Sequence, residues 1–96
     1  MNKQELVKAK RDQILSAARR HGASRVRLFG SAARGDDTAA SDLDFVVELE
    51  EGRSLLDLGG MQSDLERIMG CSVDVVTEKG LRDRIRTRVL SESIPL

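Results

Sequence analysis

The sequence predicts an α/β (α+β) domain, a small mixed β-sheet covered by helices in the order α-β-α-β-α-β-α. Two patterns carry this prediction. Apolar residues recur at helical spacing in long segments, and they alternate with polar residues in the shorter segments between them. The 96 residues contain no linker, internal repeat or low-complexity stretch, so we expect one domain over residues 1–96.

The first half of the chain predicts two helices around one strand. Residues 3–21 contain neither proline nor glycine and carry apolar residues at helical spacing, which predicts one amphipathic helix that stops before Gly22. Residues 25–28 alternate polar with apolar and predict a strand that runs into Gly30. Residues 31–34 then predict a short helix.

The second half predicts two strands and two helices. Residues 42–49 carry apolar side chains at every second position, from Leu43 to Leu49, and predict a strand, and residues 72–77 are rich in β-branched side chains. Between them, residues 54–70 begin with a capping-box pattern and continue as an amphipathic helix. A last helix follows, with its apolar side chains expected to face inward: Leu81, Ile85 and Val89. We expect Pro95 to lie in a frayed tail.

Composition excludes several classes of protein. Sixteen basic and sixteen acidic residues give a formal net charge of zero, and only 2% of residues are aromatic, so a nucleic acid is not expected as a direct partner. A single Cys71 and a single His21 exclude an intrachain disulfide and a cysteine and histidine zinc site. No apolar run suggests a signal peptide or a membrane span. We therefore expect a cytoplasmic protein with no membrane partner.

A concentration of carboxylates marks the second predicted strand. Seven acidic residues and no basic residue lie between positions 36 and 51, and most of these acids are interpreted as a solvated surface. Asp42 and Asp44 are different, because residues two apart on a strand point to the same face. Two adjacent carboxylates repel one another unless they share a cation, so this pair predicts metal ligation.

Asp74 interrupts an apolar run in the third predicted strand, which we expect to be central and buried. A buried carboxylate needs a partner, and either an arginine or a metal ion would provide one. As a third metal-facing carboxylate, Asp74 would complete an all-oxygen ligand set. Such a set suits magnesium ions that also hold substrate phosphates.

Gly30 and Ser31 predict the phosphate side of the same site. Glycine allows the backbone to approach a phosphate closely, and the serine hydroxyl can donate a hydrogen bond to a phosphate oxygen. Arg34, one helical turn further on, can add a positive charge. A glycine-serine pair alone is usually only a turn, so its significance depends on its distance in sequence from the carboxylates.

The spacing of these residues resembles a known signature. Gly30-Ser31 is followed after ten residues by Asp42-x-Asp44, with Ser41 directly before the first aspartate. This pattern resembles the nucleotidyltransferase superfamily that includes DNA polymerase beta, and the segment LFGSAARGDDTAASDLDFVV is especially similar to the minimal nucleotidyltransferases. The resemblance extends from about Val26 to Thr77.

The resemblance implies a fold, a reaction and a set of roles. The fold would be the polymerase beta-like nucleotidyltransferase fold, and the reaction would move AMP from ATP to a hydroxyl acceptor with release of pyrophosphate. Two Mg²⁺ ions would be held by the three aspartates, and Asp74 would also help to activate the acceptor hydroxyl. The nucleotide-binding set that we predict consists of Gly30, Ser31, Arg34 and Ser41.

The resemblance also implies a partner. Minimal nucleotidyltransferases are paired with HEPN-domain toxins, and they are implicated in silencing the toxin by transferring AMP to one of its tyrosines. Two alternatives stay open: an antitoxin that neutralises its partner by binding alone, and nucleotidyl transfer to RNA or a small molecule. A homodimer is also possible. The basic segment from Lys79 to Arg88 is interpreted mainly as the exposed face of the last helix.

Overall fold

The computed structural model describes residues 2–96, which form a four-stranded mixed sheet with helices on both faces. The elements in chain order are α1 (Lys3–Ala9), α2 (Arg11–Arg20), β1 (Ala23–Phe29), α3 (Gly30–Arg34), β2 (Leu43–Leu49), α4 (Leu55–Met69), β3 (Val73–Thr77), a 3₁₀ turn (Glu78–Gly80), α5 (Asp83–Glu92) and β4 (Ile94–Pro95). The predicted fold class is confirmed.

The strand order in the sheet is β3-β2-β1-β4. β1 runs antiparallel to both β2 and β4, whereas β2 and β3 are parallel and are joined through α4. Because side chains alternate along each strand, the two faces of the sheet carry different chemistry.

One face of the sheet forms the core. The alternating apolar residues of β1 and β2 are buried there together with residues of α2 and α4, and the largest fully buried side chains include Phe45, Ile14, Leu28, Leu43, Met61 and Leu65. The opposite face carries Asp44 and Val46. The end of α5 lies over this second face, where the Arg27 guanidinium donates a hydrogen bond to the Ser93 hydroxyl at 3.3 Å.

The helix α4 has the ends that its sequence predicts. The Ser54 hydroxyl and the Asp57 carboxylate form a reciprocal capping box, and Gly70 closes the helix in the left-handed conformation with φ +71°. At 15 residues α4 is the longest helix of residues 2–96, and within that range no helix is both long and apolar enough to span a bilayer.

The predicted single helix over residues 3–21 is wrong, because the chain forms two helices that meet at Lys10. Lys10 has φ −105° and ψ +16°, outside the regular helix, and its ammonium donates a hydrogen bond to the Ile68 carbonyl at 2.7 Å. This tertiary contact separates α1, which lies against α3, from α2, which packs on α4 and β1. No glycine or proline marks the break.

The carboxyl-terminal residues form a strand, and the predicted frayed tail is wrong. Ile94 pairs with Leu28, Pro95 lies opposite Arg27, and the Leu96 amide donates to the Val26 carbonyl at 2.9 Å. Proline lacks an amide donor and is therefore tolerated on an edge strand such as β4. The last helix differs as well, since Ile85 is 48% exposed and does not face inward.

The position of β3 also differs from the prediction. β3 is an edge strand, and Asp74 is exposed on it, whereas we expected a central strand with a buried carboxylate. The energetic argument that Asp74 needs a buried partner therefore does not apply. What matters for Asp74 is instead its neighbour on β2, which is Asp44.

Candidate functional site

Asp44 and Asp74 are direct neighbours in the sheet. They are paired residues of the parallel ladder between β2 and β3. Paired residues of neighbouring strands point to the same face and lie about 4.8 Å apart across the strands. Two carboxylates from segments thirty residues apart in sequence are therefore brought side by side.

This arrangement affects the pKa of the Asp44 carboxyl group. Its side chain is partly withdrawn from water, and this burial is the main reason why its pKa is raised above its ordinary value. The negative charges of Asp74 and then Asp42 raise the pKa further, and the Arg34 cation partly opposes them. The Asp44 carboxylate is thus close enough to Asp42 and Asp74 to be repelled by both of them.

Gly30 lies directly against the Asp44 carboxylate. It has φ +75°, a conformation that favours glycine, and it begins α3 at the end of β1. A Cβ atom added to Gly30 would overlap the Oδ2 atom of Asp44 and would lie 3.2 Å from its Cγ atom. The missing Cβ atom therefore lets the Asp44 carboxylate lie against the Gly30 backbone.

Ser31 and Arg34 lie on the same short helix, α3. Ser31 is half-buried, and within residues 2–96 its hydroxyl makes no hydrogen bond to the protein. Arg34 is exposed and forms an ion pair with Asp36 at 3.3 Å, while its charge still acts on Asp44. Both residues therefore follow Gly30 on α3, and a contact of either one with a nucleotide stays a prediction.

Ser41 has a local role in the structure. Its hydroxyl accepts a hydrogen bond from the Thr38 amide at 2.9 Å and lies 3.2 Å from the Thr38 hydroxyl. These contacts close the turn that leads into Asp42 and β2. A contact between Ser41 and a nucleotide stays a prediction.

Two residues near the amino terminus contact this site, and sequence reasoning did not identify them. The Lys3 ammonium donates hydrogen bonds to the carbonyls of Thr38, at 2.9 Å, and Ser41. The Gln4 amide donates to the Ala33 carbonyl of α3 at 3.1 Å. No local pattern could have revealed these contacts, because lysine and glutamine are ordinary residues in the first turn of a helix.

The donor chemistry of the site fits magnesium. Asp42, Asp44 and Asp74 offer only oxygen atoms, which hard divalent cations prefer, and their mutual repulsion would be relieved by a cation. Within residues 2–96, however, no group of three or more acidic, histidine or cysteine side chains is already arranged to hold a metal ion. The carboxylates are adjacent, and their convergence on one ion requires rotation of side chains that include the exposed Asp42 and Asp74.

A separate large cavity of about 760 Å³ lies at the other end of the sheet. Its walls include Glu48 and Leu49 at the end of β2 and Thr77 at the end of β3, and it contains none of the predicted site residues. Asp44 is five residues, or about 16 Å of extended chain, before Leu49. The carboxylate site is separate from this cavity and faces solvent, since Asp42 and Asp74 are exposed.

The basic segment from Lys79 to Arg88 lies mostly in solvent. Arg82, Arg84 and Arg88 are exposed, while Arg86 donates hydrogen bonds to the carbonyls of Glu78, at 3.0 Å, and Leu81. Arg86 therefore stabilises the turn before α5. This agrees with the interpretation of the segment as mainly an exposed helical face.

The fold and the site together define a class of protein, which is a small mixed-sheet domain with a glycine and serine turn beside paired carboxylates. The family model described as the nucleotidyltransferase domain matches residues 11–96. The chain belongs to this family and is a nucleotidyltransferase.

The chain is similar to curated proteins from archaea. It is 38% identical to "Putative protein adenylyltransferase MJ0435" of Methanocaldococcus jannaschii over 85% of this chain and 88% of the relative. It is 36% identical to protein adenylyltransferase MntA of Thermococcus cleftensis over 78% of this chain and 76% of the relative. The predicted resemblance to the minimal nucleotidyltransferases is confirmed.

Solved structures agree with this relationship. A structure described as a "putative minimal nucleotidyltransferase" is 50% identical, has a TM-score of 0.90, and is matched over 100% of this chain and 97% of that one. A toxin-antitoxin structure with AMP-PNP has a TM-score of 0.75 at 19% identity, over 88% of this chain and 69% of that one. At that identity the second likeness concerns the fold alone.

Proposed function

We propose that this nucleotidyltransferase transfers AMP from ATP to a tyrosine hydroxyl of a partner protein, with release of pyrophosphate, and thereby silences a HEPN-type toxin. The observation that carries the proposal is the alignment of Asp44 with Asp74, with the Gly30 turn directly against the Asp44 carboxylate. Related proteins named protein adenylyltransferases and a toxin-antitoxin neighbour with AMP-PNP support the acceptor class and the nucleotide. The lone Cys71 thiol is compatible with a reducing cytoplasm.

Each residue of the site has a role in this reaction. The Gly30 backbone would allow a phosphate to approach the turn, and the Ser31 hydroxyl would donate to a phosphate oxygen, with Arg34 adding positive charge. The acceptor oxygen would attack the α-phosphorus while the bond to the bridging oxygen of pyrophosphate breaks. Asp74, exposed on an edge strand, can be reached by the acceptor hydroxyl and would take its proton.

Two Mg²⁺ ions would be held by the three carboxylates, which are those of Asp42, Asp44 and Asp74. When bound, the ions would stabilise charge on the attacking and leaving oxygens of the in-line displacement. A protein acceptor can approach the carboxylates from solvent, because Asp42 and Asp74 are exposed.

The test of this proposal is label transfer to a partner. The purified chain is incubated with Mg²⁺, a HEPN toxin encoded beside it and ATP labelled at the α-phosphate, and parallel reactions use γ-labelled ATP or the Asp44→Asn variant. We expect the α-label alone to appear on the toxin, on a tyrosine that peptide mass spectrometry identifies, and to disappear with the variant. An unlabelled toxin in the presence of a stable complex would contradict the proposal.

A second candidate is neutralisation by binding alone. In that case Asp44→Asn would still suppress toxin activity as well as the wild type does. If neither transfer nor a complex is observed, RNA and small-molecule acceptors are the remaining alternatives to assay.

A further inference from the structure

We propose that Lys3 is a positioning residue of the carboxylate site, which holds the loop before Asp42 in place from outside the site. The inference rests on the proposed role of Asp42 as a metal ligand. The backbone holds the three carboxylates to different extents. Asp44 and Asp74 are fixed by the hydrogen-bonded ladder between β2 and β3, whereas Asp42 lies just outside β2, at the end of an eight-residue connection over residues 35–42.

This connection has few contacts of its own. The Asp36 amide donates to the Ser31 carbonyl at 3.1 Å, and the turn from Thr38 to Ser41 is closed by hydrogen bonds between those two residues. The residues before Asp42 are largely exposed. After Asp42 the chain is held by the Leu43 amide, which donates to the Ser72 carbonyl at 3.0 Å, so it is the residues before Asp42 that contacts from another part of the chain would hold in place.

Lys3 makes that contact. Its ammonium bonds to the carbonyls of Thr38 and Ser41, the two ends of the turn that precedes Asp42. An ammonium group has three donors and can bridge two carbonyls at once. The turn is thus attached at both of its ends to the first residue of α1, and the peptide bond of the Ser41 carbonyl leads directly into Asp42.

The first turn of α1 is itself well anchored. Asn2 and Glu5 form a reciprocal capping box, with the Glu5 amide donating to the Asn2 side chain at 2.8 Å. Gln4, next to Lys3, donates to the Ala33 carbonyl at 3.1 Å and thereby connects the same turn to α3. Lys3 and Gln4, which are adjacent on α1, therefore link the connection that ends at Asp42 with α3.

The proposal is tested with Lys3→Met, which keeps the length of the side chain but removes the donors. Lys8→Met is the matched control, because Lys8 is an exposed lysine of the same helix. Mn²⁺ binding is measured by electron paramagnetic resonance on each protein without nucleotide. We expect Lys3→Met to weaken binding about tenfold, the usual effect of removing a group that orients a metal ligand, and Lys8→Met to leave it unchanged. Lys3→Arg should restore most of the affinity.

A second measurement needs no metal. Amide hydrogen exchange at Ser41 and Asp42 should accelerate in Lys3→Met, while exchange in β2 and the midpoint of urea unfolding stay at wild-type values. Unchanged exchange, or equal Mn²⁺ affinity in Lys3→Met and wild type, would overturn the role of Lys3. A wild-type protein that binds no Mn²⁺ and transfers no label would instead overturn the proposed function, so the two failures are distinguishable.

Discussion

A methyl group on Gly30 and the carboxylate of Asp44 would occupy the same space. The backbone of Gly30 has φ +75°, and the overlap involves both the Oδ2 atom of Asp44 and, at 3.2 Å, its Cγ atom. The first prediction concerns this contact. Gly30→Ala should lower the free energy of unfolding by about 1–2 kcal/mol from backbone strain and should also displace Asp44, which reduces nucleotidyl transfer.

Gly35 offers a matched control for the Gly30 variant. It ends the same helix with φ +80°, and a Cβ atom added there would meet nothing within 4 Å. Gly35→Ala should therefore show a similar loss of stability in urea unfolding but keep its affinity for Mn²⁺ and nucleotide. Equal loss of binding in the two variants would mean that the strained turn, and not the contact between Gly30 and Asp44, controls the site.

The second prediction separates function from stability at Asp44. Asp44→Asn should reduce nucleotidyl transfer by at least about a hundredfold, because even groups that only orient metal ligands commonly contribute tenfold to a hundredfold. Without metal, the same substitution should raise the free energy of unfolding by about 0.5 kcal/mol, since it removes a partly buried charge that two neighbouring carboxylates repel. Initial rates of label transfer and urea unfolding in a metal chelator measure the two effects.

Glu51→Gln controls for the change in net charge, because Glu51 lies at the cavity end of the sheet. It should alter neither the transfer rate nor the stability appreciably. If Asp44→Asn destabilises the metal-free protein, the carboxylates do not repel one another as the structure indicates.

The third prediction concerns the contact between α2 and α4. His21 lies 2.7 Å from Asp64 through its Nε2 atom, and Arg67 and Arg20 also bond to this carboxylate. The His21 hydrogen bond contributes most to lowering the pKa of Asp64, from 3.8 to about 2. A carboxyl group with a lowered pKa stabilises the fold when it is ionised, so its contribution is complete above about pH 4 and is lost as the pH falls towards 2.

Urea unfolding between pH 7 and pH 2 measures this contribution. The wild type should lose stability in the window from about pH 4 to about pH 2, and Asp64→Asn should be less stable at pH 7 and lose less in that window. Asp12→Asn is the control, because Asp12 is fully exposed on α2. A wild type and an Asp64→Asn variant with identical pH profiles would contradict the assignment.

Much of the site could be predicted from the sequence, because it depends on local geometry. Strand alternation places Asp44 opposite the core, and the glycine before Ser31 marks the end of β1. The structure brings Gly30 and Asp44 into contact and aligns Asp44 with Asp74. The expectation that Asp74 is buried on a central strand was wrong. The order of strands in a sheet is not encoded in any one segment, and β3 lies at the edge.

The other errors have a common physical cause, which is tertiary hydrogen bonding. The helix break at Lys10 accompanies a bond to Ile68, and the strand at Ile94 exists through its pairing with Leu28. Lys3 reaches a turn 35 residues away in sequence. Helical periodicity and turn propensity contain no information about such contacts, so these features become visible only in the folded chain.

The last prediction uses two adjacent glycines of α4, which sequence propensity treats alike. A Cβ atom added to Gly59 would meet nothing within 4 Å, whereas one added to Gly60 would lie 2.7 Å from Cε1 and 2.9 Å from Nδ1 of His21. Alanine in place of glycine within a helix contributes about 1 kcal/mol. Gly59→Ala should therefore raise the free energy of unfolding by about that amount.

Gly60→Ala should gain the same stability from helix propensity, but the clash with the His21 ring should cancel this gain. The ring is held by its hydrogen bond to Asp64 and cannot move away without breaking that bond. We expect this variant to be no more stable than the wild type in urea unfolding. In a His21→Ala background the obstacle is absent, so Gly60→Ala should then stabilise the protein as much as Gly59→Ala does. If Gly60→Ala stabilises the wild type and the His21→Ala protein equally, His21 does not pack against Gly60 in solution.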